Sequence, residues 1–186
     1  MAKPAYRVRL TYEDYQLFPD DGRRHELIGG EHYVTPAPNK KHQRAAGNLH
    51  LELGGFVRKL RLGRVYFAPR DVVLSNEDVV QPDLLFISKE RVAIDRDSDV
   101  SGAPDLLIEI LSDSTRKTDE TTKRKLYEHA GVREYWVVDP VLEMVKVYRL
   151  TAGVFERVAE LSAEAGDRLE TPLLPGLSIV LAQVFE

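Results

Sequence analysis

Hydrophobic positions fall in short clusters along this chain, and their periods switch between two and about 3.6. Thr11-Tyr12-Glu13-Asp14-Tyr15 opens as a short helix, with Thr11 as cap and Asp14 three residues on. His25-Glu26-Leu27-Ile28 and His32-Tyr33-Val34 flank Gly29-Gly30, the pattern of a hairpin. Asn39 caps a long helix to about Leu62, whose positions Ala46, Leu49, Leu53, Phe56 or Val57, and Leu60 follow helical spacing. Gly54-Gly55 weakens that helix and is a place for it to bend. Strands are expected at 65–68, 71–74 and 84–87, and a polar loop at about 95–102. A helix from about Asp119 to His129 stops at Gly131. A strand follows at 134–140, then a hairpin of 145–150 and 154–158 turning at Ala152-Gly153. The tail from Pro172 to Glu186 reads as a last strand and a short helix.

One cluster breaks its own pattern. Asp105-Leu106-Leu107-Ile108-Glu109-Ile110-Leu111 reads as a buried central strand, yet it contains a carboxylate. Full burial raises a carboxyl pKa by up to roughly 3–5 units, or about 4–7 kcal/mol. That is a large share of a domain's stability, so something must offset it. A metal ion, a lysine, or exposure where a cleft opens at the strand end would each do so. The mixture of strands and helices, with no internal repeat and no linker, predicts one mixed α/β domain spanning residues 1–186.

Composition narrows the class. With 43% hydrophobic and 30% charged residues, the chain has the make-up of a soluble globular protein. No apolar run reaches the ~18 residues of a membrane span. Met1-Ala2-Lys3-Pro4-Ala5-Tyr6-Arg7 lacks the apolar core of a signal peptide. The chain has no cysteine, which excludes disulfides and thiol chemistry and fits a cytoplasmic protein. The net charge of −4 conceals a segment, residues 39–70, with eight basic side chains against the single acid Glu52. Such a segment is either a solvated helix face or a surface for phosphates.

The candidate chemistry starts at Pro82-Asp83, just before the 84–87 strand. Glu109 lies 26 residues on, in another strand. Two carboxylates on neighbouring strands form a seat for Mg²⁺, which takes oxygen ligands and keeps several waters. Asp105 shares a strand face with Glu109 but stands about 13 Å away, so it starts its strand rather than sharing an ion. Asp119, Lys123 and Tyr127 form one helical stripe. The stripe is either a surface Asp119–Lys123 ion pair with Tyr127 at the core edge, or it turns Lys123 toward Glu109. Ser112, Ser114 and Thr115 have no histidine nearby in sequence and no Gly-x-Ser-x-Gly elbow, which argues against serine hydrolysis. No glycine-rich phosphate loop or dinucleotide fingerprint occurs. His25, His32, His50 and His129 lack metal-ligand spacing, and Tyr135-Trp136 reads as strand core or interface.

Pro-Asp, an acid inside an apolar strand and a lysine resemble the signature of the PD-(D/E)XK nuclease superfamily. Five blocks sharpen the resemblance: His25-Glu26-Leu27-Ile28-Gly29-Gly30-Glu31; Pro82-Asp83; Glu109-Ile110-Leu111-Ser112 with Ser114-Thr115; Asp119, Lys123 and Tyr127; and Gly131-Val132-Arg133-Glu134-Tyr135-Trp136 with Asp139-Pro140. Together they are similar to the Uma family of restriction-type endonucleases, from about Thr11 to Phe185. The resemblance implies a restriction-endonuclease-like fold: a mixed central β-sheet flanked by helices, with additional N-terminal and C-terminal hairpins. It implies Mg²⁺ or Mn²⁺ on Asp83, Glu109 and the backbone carbonyl of Ile110, with Lys123 as the catalytic lysine. Glu26 and His42 match further recurrent family positions: an extra acid at the metal or water, and a phosphate or site contact.

Two positions depart from the pattern. Leu111 stands where the superfamily places its lysine, so the lysine comes from the next helix as Lys123, and Asp113 stands where the family has proline. The implied function is a metal-dependent DNA endonuclease, with the basic segment on phosphates. The alternative is a nuclease-like module that binds nucleic acid or protein without cutting. Nucleases of this fold act as dimers, which makes the Tyr135-Trp136 strand and the C-terminal hairpin candidate subunit contacts.

Overall fold

Alternation with period two fixes which face each strand buries, and the sheets follow from it. The computed structural model describes residues 8–186; the segment read for a signal peptide lies outside them. The elements run α1 (Tyr12–Tyr15), β1 (Arg24–Ile28), β2 (Glu31–Thr35), α2 (Lys40–Leu60), β3 (Gly63–Phe67), β4 (Val72–Ser75), β5 (Asp78–Val80) and β6 (Leu84–Ser88). They continue with β7 (Val100–Ser101), β8 (Leu106–Ile110), α3 (Arg124–Ala130), β9 (Glu134–Asp139), β10 (Met144–Thr151), β11 (Val154–Ser162), β12 (Arg168–Leu169), β13 (Ile179–Val180) and α4 (Leu181–Phe185). A 3₁₀ turn spans Lys89–Ile94, and a π-helical turn, Thr118–Lys123, leads directly into α3.

The central sheet has six strands in the order β11-β10-β9-β8-β6-β3. β8 and β9 are parallel and the other neighbours antiparallel, so the sheet is mixed as expected. Leu106, Ile108 and Ile110 of β8 join Leu49, Leu53 and Val57 of α2 in one core, with α4 on the same side. Leu107, Tyr135 and Val137 face the other way, into a core with Tyr127 of α3. Tyr135 and Trp136 are fully buried in β9, between β8 and β10. A central strand has no free edge, so this pair is core and cannot join subunits. The outer edge of β11 remains open.

The expected N-terminal hairpin forms, with Gly29 and Gly30 at φ 58° and 73°, the positive values such a two-residue turn needs. It belongs to a second, five-stranded sheet, β2-β1-β5-β4-β7, which the sequence reading does not contain. The C-terminal hairpin turns at Ala152 and Gly153, φ 51° and 85°, and extends the central sheet through β10. Helix starts follow their caps. Thr11 and Asp14 complete a capping box, and Asn39 accepts the amide of His42 at 3.0 Å. α2 runs unbroken through Gly54-Gly55 and ends at Leu60, with Arg61 in the left-handed region.

The basic segment is not one surface. Arg64 and Arg70 both bind Asp95, Arg64 Nη1 at 2.5 Å and Arg70 Nη2 at 3.0 Å. Lys40 and Lys41 lie at the start of α2, while Arg58 and Lys59 lie at its end. At 1.5 Å per residue those ends are about 27 Å apart.

Two glycines make opposite predictions. Gly63 pairs with Ser88 at φ 151°, where an added Cβ would sit 2.1 Å from the Ile87 carbonyl oxygen. Gly55 is exposed on α2 with nothing within 4 Å of an added Cβ. Urea denaturation should show Gly63→Ala losing about 3 kcal/mol and Gly55→Ala gaining about 1 kcal/mol. Equal effects of the two would contradict this packing.

Candidate active site

The β6–β8 register places Leu84 opposite Ile108. One step further it sets Asp83 against Glu109, both buried. Period two turns Glu109 to the α3 side of the sheet, away from α2. There the π-helical turn and α3 supply its partners. Lys123 Nζ donates to Glu109 Oε1 at 3.0 Å, and Tyr127 Oη donates to the same oxygen at 2.6 Å. The widened turn is itself fixed from the sheet, since Tyr135 Oη donates to the Asp119 carbonyl at 3.1 Å. Of the three expected offsets for the Glu109 charge, the lysine is the one observed.

Lys123 serves more than one acid. Glu26, on β1 of the second sheet, accepts from Nζ at 2.8 Å, and Asp119 Oδ1 lies at 3.6 Å. An ammonium has three N–H donors, and three acids surround this one. Two of its donors are engaged, by Glu26 and Glu109, and Asp119 stands beside it as a third counter-charge. Glu26 Oε1 is held on its other side by the Gln81 amide at 2.8 Å.

Asp83 has a different environment. Arg24 Nη1 donates to Oδ1 at 2.6 Å, and the Ile110 amide donates to Oδ2 at 2.8 Å. His42 Nε2 lies 3.0 Å from Oδ2. The cap at Asn39 sets the start of α2 and so carries His42, in its first turn, to this carboxylate. Ile110 touches the site through its N–H.

The two carboxylates are pushed apart in acidity. Burial alone would raise Asp83, but His42 and Arg24 outweigh it and hold its pKa below the ordinary carboxylate value. Burial raises Glu109 well above its ordinary value, against Lys123, and the acids Asp119, Asp83 and Glu26 add to the rise. Burial pushes Asp119 up to about 6, with Lys123 opposing. Burial works against the Lys123 charge, but Glu109, Glu26 and Asp119 more than restore it, so its pKa lies well above the ordinary value.

These side chains line one cleft of about 220 Å³, walled by Pro36, Pro38 and the Ser112–Thr115 turn. Five carboxylates, Glu26, Asp83, Glu109, Asp113 and Asp119, face two permanent cations, Arg24 and Lys123. The imbalance suits a divalent cation. Asp119 Oδ1 is buried without a hydrogen bond, and Glu109 Oε2 makes none among the described residues. No group of three His, Asp or Glu side chains among the described residues is arranged to hold an ion. The donor set instead fits a hard cation that takes one or two carboxylates and keeps its waters.

All five expected side chains, Asp83, Glu109, Lys123, Glu26 and His42, thus meet in this cleft, with Ile110 beside them. Three more belong with them. Asp119 and Tyr127 share the Lys123 stripe, which signalled them. Arg24 is two residues before Glu26 on β1, and strand alternation would have placed both on one face.

The Asp119 carboxyl gives a pH test. Its folded-state pKa of about 6 lies above the ordinary 3.8, so the folded chain holds the proton more tightly. That contribution is complete below about pH 4 and is lost as pH rises through about 6. Asp119→Asn should therefore gain on wild type across this range, by up to about 3 kcal/mol at pH 8. Denaturation in chelator measures it, and a difference independent of pH would refute the burial assignment.

The comparisons with known proteins agree with this architecture. A crystal structure described as "a putative nuclease belonging to DUF820 from Anabaena variabilis ATCC 29413" superimposes with a TM-score of 0.79, covering 95% of this chain and 97% of that one at 21% identity. That likeness shows the shared fold. No curated protein matches the chain. The model of the family described as "Uma2: Putative restriction endonuclease" matches residues 12–182, and the chain belongs to that family.

Proposed function

We propose that the protein is an endonuclease that hydrolyses DNA phosphodiester bonds with Mg²⁺ or Mn²⁺ in this cleft. The observation that carries the reading is the surplus of carboxylate over cation at one strand end, in a chain of this family. Asp83 and Glu109 would hold the ion, Glu109 through its unpaired Oε2, with the Ile110 carbonyl as the third ligand. The ion, when bound, would supply the polarised water and the charge that phosphodiester hydrolysis needs.

The protein's own residues do the positioning. Tyr127 and Lys123 fix one oxygen of Glu109 and leave the other without a hydrogen bond among the described residues. Arg24, His42 and the Ile110 amide orient Asp83 and keep it charged. Glu26 and Asp119 share the Lys123 charge, and His42 would contact the phosphate from the cleft wall. Lys123 acts here as a positioning residue, since two of its donors hold Glu26 and Glu109 and Asp119 stands 3.6 Å away. The occupied lysine is also what favours the second reading, a module that binds nucleic acid or protein without cutting. Cytoplasmic action and a homodimer built on the open β11 edge complete the proposal. No helix among the described residues is long and apolar enough to cross a membrane.

Calorimetry and cleavage separate the two readings. Wild type should bind Mn²⁺, and Asp83→Ala should bind it at least about tenfold more weakly. Plasmid cleavage in Mg²⁺ or Mn²⁺ should fall on the order of 100-fold in Glu109→Gln, with melting temperature kept or raised because a buried acid is removed. Absence of Mn²⁺ binding by wild type would select the non-cutting module. Loss of folding in Glu109→Gln would assign that residue to stability instead.

A further inference from the structure

A groove leaves the cleft along α2. Its first stretch is lined by Arg24, His42, Gly47, His50 and Phe67, and shares Arg24, His42 and Asp83 with the cleft. Its second stretch, of about 670 Å³, continues from His50 to Arg58, Arg61, Arg64 and Lys89. No acid among the described residues lines that second stretch. Arg64 is taken by Asp95, whereas Arg58, Arg61 and Lys89 form no ion pair among the described residues. Six other arginines, Arg24, Arg70, Arg91, Arg116, Arg133 and Arg149, pair with acids. Three cations from α2, its cap and the 3₁₀ turn therefore converge on one groove without counter-charge.

Between the cleft and these cations stands Phe67. It is 60% exposed, and its outer neighbour is the His50 ring, edge to face with centroids 4.8 Å apart. Gly47 has nothing within 4 Å of an added Cβ, so the helix surface beside Phe67 is open to a close ligand. From His42 to Arg58 the helix covers about 24 Å.

We infer that this groove carries the single-stranded flank of a nucleic-acid substrate away from the cleft. Its phosphates lie on Arg58, Arg61 and Lys89, and an unpaired base stacks on Phe67. The inference rests on the nuclease reading for its starting point, the cleft. Its ligand class follows from the groove itself: uncompensated cations suit a polyanion, and an exposed ring suits a base with a free face. A duplex keeps its base faces stacked, so it would use the cations and leave Phe67 bare.

Fluorescence anisotropy tests this with a labelled oligothymidine of about 12 nucleotides, in EDTA, so that cleavage plays no part. The triple variant R58A/R61A/K89A should bind at least about tenfold more weakly, with a salt slope shallower by about 2. Phe67→Ala should bind about tenfold more weakly with the salt slope unchanged. All four side chains are at the surface, and unchanged melting of both variants confirms the fold. A duplex of equal length should bind more weakly than the oligothymidine and be insensitive to Phe67→Ala. The inference is overturned if wild type does not bind the oligothymidine, if both variants bind it as wild type does, or if the duplex binds more tightly and depends on the same residues. Binding lost in the variants while wild type fails to cleave in Mn²⁺ would support the groove and remove the nuclease reading.

Discussion

One ammonium group makes the centre of this molecule possible. Lys123 sits among Glu26, Glu109 and Asp119, all buried, and without it three acids would face each other with no cation among them. Such a cluster is a poor way to stabilise a fold. Desolvation of buried charges rivals their attraction, and well-packed apolar side chains of similar volume serve as well or better. The cost is visible in the acids, since burial lifts both Glu109 and Asp119 despite the lysine. The cluster also ties the second sheet, through β1, to the π-helical turn and to β8. Its position at the end of an otherwise apolar sheet is where catalytic chemistry finds both rigidity and access to solvent.

Asp83 and Glu109 show how one cleft gives two carboxylates different surroundings. They stand opposite each other in the β6–β8 register, yet Asp83 meets Arg24, His42 and an amide, while Glu109 meets one shared lysine and a phenol. Asp83 is therefore held as a charge by its partners, whereas burial works against the charge of Glu109. Divergent acidity of neighbouring carboxyls is the usual mark of a division between a fixed and a responsive group. Supplying the lysine from the helix leaves position 111 free to be apolar, and Leu111 is buried in the α3-side core.

The core strands, the long helix and the site acids were legible because each rests on a local rule. Glu109 was marked by the cost of its surroundings, Asp83 by Pro82 and the following strand, and α2 by Asn39 and its apolar stripe. The second sheet was not legible. β5 has three residues and β7 two, too short for any period to show, and their pairing depends on where β1 docks. The Glu26–Lys123 contact spans 97 positions, and no spacing rule reaches that far. The layout of the basic segment was not legible for a related reason. Its formal charge was read correctly, but Asp95, in a distant loop, takes Arg64 and Arg70 out of it. Tyr135-Trp136 shows the opposite case, since a run of large β-formers is equally compatible with core and interface until strand order is known.

The sign of the cleft poses a problem that the rest of the molecule answers. Five carboxylates against two cations repel a phosphodiester, so the chemical centre cannot by itself attract the substrate proposed for it. Attraction must come from elsewhere, and it must be continuous with the cleft if bound substrate is to reach it. α2 meets both conditions. Its first turn delivers His42 to Asp83, and its last turn holds Arg58 and Lys59 with no acidic partner among the described residues. One buried stripe, from Ala45 to Val57, holds the helix against the sheet and so fixes the distance between the two ends. The glycines that weaken α2 leave its outer surface low where a polyanion would pass. A divalent cation in the cleft would then reverse the local sign only at the point of chemistry, so that attraction along α2 and the proposed chemistry at Asp83 and Glu109 would be the work of different groups on different elements.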